Sequence, residues 1–545
     1  MDVLKSEVNR ASNTYAVLYK VRGNIICEIY RNDSLHGVMT PLAGVYEGSI
    51  EENIAAGNRY VSQDYQLSEG SYTFVEIPVF GEQNELLALL EVGTDYKQFV
   101  DDNQALFRKL LLLASMAVII FMLLFSEMLN LITAVRARKS LVKGSTDYAP
   151  ELIRPVAFMI FFTANITTAF LPIYGMSLCN DSTGLPTEVA AAFPLSAELI
   201  CSAVAALVCG FLIRKTGVRL MGILGSIFYM GGNLLSPFAP NIWVLVCANS
   251  ICGIGGGILL ITVNTWIAAL SGEEKKNRGF IQYNAAFLAG MNCGTVIGSL
   301  IWENFGVKSA YLFAVGGAVL ILIFVLVFLK NIKPVLEKKE KKERKFTGLR
   351  KFITPHMLRY FLCLSLPYLI CASFLSYYFP VVADRNMLGA SEISMAFLVS
   401  GVISIYIGTA VGEPVMEKLG ARRSMILASF IYAAALGYLV LNPSIFNCYV
   451  VIVLFAVADS FGLAAQSVYF AAMPEVNEIG QSRALGINST AESITSACGS
   501  LIFGSALLLG EQRGILVILL VFVILLFLYV VMDRKSVIPE QNSSS

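Results

Sequence analysis

Apolar residues run along this chain in long blocks separated by short polar breaks, and the blocks begin only after residue 105. Residues 110–134 are nearly unbroken apolar sequence, long enough to cross a bilayer with some tilt. Twelve more blocks follow, at about 155–175, 188–213, 220–237, 242–268, 280–302, 309–329, 358–381, 393–414, 424–441, 448–472, 485–509 and 514–532. Before residue 105 the pattern changes. Residues 24–30, 71–79 and 86–92 predict strands, the last two joined by turn-forming residues 80–84. Residues 2–19 predict a helix, and from Asp95 a helical pattern runs straight into the first apolar block. The first hundred residues therefore predict a small α+β domain, and the rest a polytopic all-α membrane protein.

The twelve later blocks form two related sets. Arg278 matches Arg483 (483 minus 278, 205), and Cys293-Gly294 matches Cys498-Gly499 at the same offset. Phe170-Leu171-Pro172-Ile173-Tyr174 matches Phe374-Leu375-Ser376-Tyr377-Tyr378 (374 minus 170, 204). Lys215-Thr216-Gly217-Val218-Arg219 matches Lys418-Leu419-Gly420-Ala421-Arg422 (418 minus 215, 203). Four matches in chain order at nearly one offset predict a duplicated six-helix unit, and transporters built from such repeats bind substrate between them.

Charge orients the chain. Residues are 56% hydrophobic and 14% charged, against about 25% charged in soluble domains, so most of the chain belongs in lipid. The densest basic run, residues 330–351, lies between the two sets and cannot enter hydrocarbon. One group of alternate loops carries it together with Arg214, Lys215, Arg219, Lys275, Lys276, Arg278, Lys418, Arg422, Arg423 and Arg483. The opposite group carries Lys308, Arg385 and Arg513. Basic loops stay in the cytoplasm. That places the central loop and the C-terminus inside and residues 1–105 outside, in a multi-pass protein of the plasma membrane. The opening Met1-Asp2-Val3-Leu4-Lys5 has no apolar run behind it and does not read as a signal peptide. Either this start is a shortened one, or the following helix directs the tail across.

Other classes fall away. Net charge is +1, and no basic patch interleaved with aromatics lies outside the loops, so no nucleic-acid partner is expected. Most of the eleven cysteines sit inside apolar blocks, where Cys acts as a small hydrophobe. With His36 and His356 the sole histidines, no histidine metal site is expected. No phosphate-binding Gly-x-x-x-x-Gly-Lys-Ser/Thr motif and no Ser-His-Asp or His-Glu-x-x-His pattern is present, so the reading is not an enzyme and needs no cofactor.

Six helices, a long basic loop and six matching helices resemble the major facilitator superfamily over residues 150–535. Gly210-Phe211-Leu212-Ile213-Arg214-Lys215-Thr216-Gly217-Val218-Arg219 resembles that family's signature after the second helix, with Arg214 where its acid belongs. The second copy, Glu417-Lys418-Leu419-Gly420-Ala421-Arg422, keeps the acid. The resemblance implies that Gly210, Lys215, Gly217, Arg219, Glu417, Lys418, Gly420 and Arg422 form a cytoplasmic gating motif. Asn249 stands where the fourth helix of the family carries arginine, before Gly253-Ile254-Gly255-Gly256-Gly257. Gly290, Gly294 and Gly298 resemble the antiporter motif, although Thr295 replaces its proline and such spacing equally signals close helix packing. Residues 71–106 resemble the distal part of an extracellular Cache-type sensor domain, a family that binds small molecules; a ligandless spacer is an equal alternative.

These boundaries give an extracytoplasmic domain at 1–105, an anchoring helix at 106–134, a cytoplasmic linker at 135–152, six-helix bundles at 153–330 and 356–533, the basic loop at 331–355 and a tail at 534–545. Nothing in the repeat depends on the N-terminal part, so the core is expected to stand without it.

Ionisable residues within spans are costly and mark a cavity or a partner. Glu198, Asp459 and Glu492 are the deep carboxylates, and Glu413 lies nearer a helix end. A carboxyl removed from water can exchange a proton near neutral pH, which makes the first three candidates for proton coupling; packing through hydrogen bonds is the alternative. Asn165, Asn264, Asn284, Asn292, Gln466 and Asn488, with Tyr377 and Tyr378, are candidates for the cavity wall, since the resemblance implies a cavity lined by those helices. No lysine or arginine lies deep in a span, which favours a neutral or cationic organic solute. The expectation is a monomeric, proton-coupled secondary transporter working by alternating access. The alternative is a receptor that uses the same fold without net flux.

Overall fold

The computed structural model describes residues 14–22, 25–33, 61–67, 70–80, 83, 86–140, 150–179, 184–270, 273–329, 354–407, 413–479 and 481–532. The central basic run and the C-terminal tail lie outside the described residues, as do residues 2–13. The chain divides into two compact units, Met1–Ser115 and Met116–Ser545.

The first unit is an antiparallel sheet of β1 (Thr14–Arg22), β2 (Ile25–Asp33), β3 (Val61–Leu67), β4 (Gly70–Phe80) and β5 (Leu86–Asp95), in the order β2-β1-β5-β4-β3. β1 corrects the helix expected across residues 2–19. Tyr15, Val17, Tyr19 and Val21 alternate with period two, and β-branched and aromatic side chains suit a pleated surface. β1 pairs with both β2 and β5, and Val17 is fully buried. β3 went unpredicted because Ser62, Gln63, Asp64 and Gln66 mask its strand character, and it lies at the sheet edge. β5 passes into α1 (Tyr96–Ser140), a helix of 45 residues.

The second unit is helical. Its elements are α2 (Ile153–Asn165), α3 (Leu171–Ser177), α4 (Phe193–Thr216), α5 (Val218–Leu235), α6 (Ile242–Ala268), α7 (Glu273–Phe328), α8 (Pro355–Arg385), α9 (Ala390–Ile407), α10 (Glu413–Leu441), α11 (Ile445–Ala471), α12 (Gln481–Leu507) and α13 (Glu511–Met532). Among the described residues nine helices are long and apolar enough to cross a membrane, fewer than the thirteen apolar blocks. The differences have physical causes. The block at 155–175 is split by a turn between α2 and α3. The blocks at 280–302 and 309–329 merge into α7, broken at Gly306. α9 is short, and α12 carries Asn488, Ser489, Thr490, Glu492, Ser493, Thr495 and Ser496.

The duplication is written in the backbone. Gly217 (φ 90°, ψ 160°) and Gly420 (φ 75°, ψ 159°) turn the chain identically at the two motif loops. Gly306 (φ 81°) and Gly510 (φ 91°) form a second such pair (510 minus 306, 204). Positive φ excludes most side chains, so these positions select glycine. Asn241 and Ser444 (444 minus 241, 203) both cap helices of 27 residues, each side chain accepting from the amide three residues on.

Helices pack closely where glycine allows it. A Cβ at Gly294 would lie 2.2 Å from the Phe162 carbonyl oxygen, and one at Gly298 would lie 2.0 Å from that of Ile166. The run Gly290–Gly294–Gly298 is thus a seam between α7 and α2. At the end of the bundle away from Gly217 and Gly420, side chains of both halves meet. Arg385 pairs with Glu188 (2.5 Å), the Tyr377 hydroxyl donates to the Glu188 carbonyl, the Ser391 amide donates to Glu303 (2.9 Å) and the Ser196 hydroxyl donates to the Ala497 carbonyl (2.8 Å).

α1 does not stand apart from the core. Met116, Ile120, Glu127 and Ala134 are buried at near-heptad spacing, a single stripe along one face. Glu127 accepts from Arg154 at the start of α2, at 2.6 Å and 3.1 Å, and Arg154 also donates to Gln282 on α7 (3.3 Å). α1 therefore supplies the counter-ion of a half-buried arginine of the repeat, a contact the sequence reading did not include.

Candidate functional site

The three deep carboxylates have different surroundings. Glu198 sits on α4, between Ser196 and Ser202. It is held in place because α6 has glycine opposite: a Cβ at Gly253 would lie 2.1 Å from the Glu198 carbonyl oxygen, and one at Gly257 the same distance from that of Ser202. The side chain reaches a cavity of about 110 Å³ inside the N-terminal half, lined also by Phe161, Ala164, Ser202, Tyr229 and Gly256. Among the described residues no hydrogen bond or ion pair reaches its carboxylate. A carboxyl without donors is the one most free to change protonation state as its surroundings change.

Asp459 on α11 is caged instead. The hydroxyls of Tyr368 and Tyr432 both donate to its Oδ1, the latter at 2.8 Å. The rings stack onward, Tyr368 to Tyr432 with centroids 4.8 Å apart and Tyr432 to Phe455 at 3.8 Å. Glu492 on α12 accepts from Asn488 (2.6 Å) and from Gln466 (3.2 Å), and Gln466 also donates to Ser365 (3.0 Å). Buried networks of this kind fix geometry.

The expected wall residues are scattered. Gln466 and Asn488 join the Glu492 cluster. Asn165 donates to the Phe161 carbonyl of its own helix (2.8 Å). Asn264 faces Tyr283. Asn284 is exposed. Asn292 is buried where the halves meet: a Cβ at Gly401 of α9 would lie 1.9 Å from its Oδ1. Tyr377 and Tyr378 are buried in the packing at the end where the halves meet, and Tyr378 also lines a small cleft with Val382, Leu439 and Ile515. In the motif loops Lys215, Glu417 and Lys418 are exposed, and Arg219 donates to the Leu326 carbonyl at the end of α7 (3.2 Å). Gly210 adjoins no neighbouring atom that a Cβ would meet, and Arg422 is half-buried. The side chains of Arg214, Glu413 and Arg483 lie outside the described residues.

Sequence reasoning missed the partners of Asp459. Tyr432 and Asp459 lie on consecutive helices and Tyr368 on α8, 91 positions before Asp459, and no matching set in the other half marks them.

Residues 155–476 match the family model described as Major Facilitator Superfamily. A curated relative, "Multidrug resistance protein MdtG" of Proteus mirabilis (strain HI4320), is 26% identical over 262 residues, which span 46% of this chain and 62% of the relative's length. Solved structures share the fold at low identity. A POT family transporter in complex with a thioalcohol-conjugated peptide superposes with TM-score 0.57 at 13% identity, over 71% of this chain and 96% of that one. A D-xylose–proton symporter gives 0.56 at 11%, over 70% and 96%. The nucleoside transporter NupG gives 0.56 at 12%, over 71% and 99%.

Proposed function

This chain belongs to the Major Facilitator Superfamily, and on that premise we propose that it is a secondary transporter, moving a small organic solute across the plasma membrane by alternating access and driven by protons. The unpartnered carboxylate of Glu198, at a cavity inside one bundle, carries the reading. Asp459 and Glu492 are held by donors and serve the architecture. The contacts of Arg385, Tyr377 and Ser391 with the N-terminal half fit a state closed at one end. In the topology of the basic loops that end faces outward, so this is the outward-closed state, with residues 1–105 outside and twelve core helices behind the extra α1. The absence of deep lysine or arginine favours a neutral or cationic solute, and a multidrug relative and a proton symporter of the same fold agree with that direction.

The test is flux. Reconstituted protein should accumulate ethidium, as a cationic organic probe, or an equivalent neutral solute when a pH gradient is imposed, and Glu198→Gln should lose accumulation while keeping exchange. Normal accumulation in that variant would remove Glu198 from the coupling. A second reading, a receptor, is favoured by the five-stranded sheet that continues directly into α1. A receptor would bind its ligand with no flux in the same vesicles, and a Cache-like sensing role belongs with that reading.

A further inference from the structure

The duplication allows the Glu198 cavity to be compared, position by position, with the other half. Ala164 precedes Tyr368 by 204 positions (368 minus 164), Tyr229 precedes Tyr432 by 203 (432 minus 229), and Gly256 precedes Asp459 by 203 (459 minus 256). Ala164, Tyr229 and Gly256 all line the cavity. In the C-terminal half this space is filled. The Tyr368 ring enters between α10 and α11 and its hydroxyl donates to Asp459. Gly462 makes room for it, since a Cβ there would lie 2.5 Å from the Tyr368 hydroxyl. In the N-terminal half alanine stands in place of that tyrosine and Leu259 in place of Gly462 (462 minus 259, 203). The carboxylate is still supplied, by Glu198 from the neighbouring α4 in place of the residue at Gly256. The second tyrosine, Tyr229, is retained.

The two sites therefore share a tyrosine and a carboxylate and differ by one phenol ring. We propose that the N-terminal cavity is a binding site for an aromatic ring carrying one hydrogen-bond donor, a hydroxyl or an amino group. The ring occupies the space that Tyr368 fills in the other half, and the donor meets Glu198. Size is of the right order: the cavity is about 110 Å³, below the about 150 Å³ of an apolar cavity that accommodates benzene, so the ring must press its walls outward. Chemistry agrees as well. Phe161, Ala164 and Leu259 offer apolar walls, and Glu198 is an acceptor that no described residue satisfies. Glu198 acts here as an acceptor, so the proposal stands whether or not the same residue carries the coupled proton.

The test is binding to the full-length protein in detergent, read by thermal unfolding and by titration, with phenol as the probe and toluene as the donor-free comparator. Phenol should raise the unfolding temperature saturably, and toluene should bind at least about fivefold more weakly, since an unmet acceptor rejects the ligand lacking its donor. Glu198→Leu removes the acceptor and should weaken phenol about tenfold, the scale of one hydrogen bond to a charged group. Ala164→Tyr with Leu259→Gly copies the C-terminal half into the N-terminal one and should abolish binding. Ala164→Leu, a smaller filling, tests the same point if the double variant folds poorly. Phenol binding that survives both fillings, equal binding of toluene, or no phenol binding to the unaltered protein would each overturn the proposal. Loss of flux in Glu198→Gln, with phenol binding intact in Glu198→Leu, would overturn it while leaving proton coupling in place.

Discussion

In the C-terminal half a carboxylate on α11 meets two tyrosine hydroxyls; at the matching place in the N-terminal half the carboxylate arrives from α4 and meets none. The backbones repeat closely, down to the turn glycines and the helix caps. The side chains do not. Duplication fixed where helices run and left the interior free to diverge, so one half holds a closed polar cluster and the other an open cavity. The halves also differ in how they are held. The C-terminal half is tied from within by the Asp459 and Glu492 clusters. The N-terminal half is tied from outside, by the Glu127–Arg154 pair with α1.

The largest effect should separate the carboxylates by role. Glu198→Gln should abolish gradient-driven accumulation, by about a hundredfold if it removes the titrating group altogether, and leave exchange intact. Asp459→Asn and Glu492→Gln should accumulate solute at rates within a few-fold of the unaltered protein. Uptake and exchange measured side by side in vesicles check this. Equal losses in all three variants would erase the contrast between the halves.

Next in size is the outer tie of the N-terminal half. Glu127→Leu leaves Arg154 half-buried without its carboxylate, and breaking such a pair costs about 3–5 kcal/mol. Glu127→Leu with Arg154→Leu replaces both charges by apolar groups and should recover most of that loss. Thermal unfolding of the unaltered protein, the Glu127→Leu and Arg154→Leu single variants and the double variant in detergent gives the coupling directly. Additive effects would mean that α1 is a tether and that the N-terminal half, like its partner, is held from within.

A loss of comparable size should come from the inner tie of the C-terminal half. Asp459→Ala strands two buried hydroxyls, Tyr368 and Tyr432, at about 1–3 kcal/mol for each unsatisfied group. Tyr368→Phe with Asp459→Ala removes donor and acceptor together and should be milder than Asp459→Ala alone. The reverse order in unfolding temperature would show that the cluster holds no stability.

How much of this was legible in the sequence follows from range. The apolar blocks, the duplication and the three deep carboxylates needed only local pattern and a fixed offset. The break at Gly306 and the cap at Asn241 were equally readable, since each has its counterpart at the same offset. β1 was misread because a short run near a chain start suits helix or strand, and what decided it was pairing with β2 and β5. The partners of the wall candidates were not legible, because a polar residue on a helix can bond within its own helix or across to the other half: Asn165 bonds to its own helix, and Tyr377 contacts Glu188. The Glu127–Arg154 pair was hidden because the two charges stand on opposite sides of a loop, one within an apolar block and the other at the edge of the next.

The smallest effect lies at the motif end of the C-terminal half. There Glu475 accepts from Thr354 (2.6 Å) and lies 3.3 Å from His356, tying the start of α8 to the segment after α11. The N-terminal half makes its corresponding tie with a more exposed pair, Arg278 and the half-buried Glu151 at 3.1 Å. Burial alone would raise the pKa of Glu475, but the Thr354 hydroxyl, the Glu475 backbone amide and His356 together outweigh it and hold the carboxyl below its usual value. A depressed carboxyl pKa means that the unfolded chain binds the proton more readily than the folded one. The stabilisation is therefore complete above the unfolded pKa, about 4.3, and is lost as pH falls through the lower, folded value. Between pH 6 and pH 3.5 the unaltered protein should lose slightly more stability than Glu475→Gln, with the two curves converging at the acid end. Parallel curves across that range would mean that this carboxylate contributes no more to the pH dependence than the more exposed pair does in the other half.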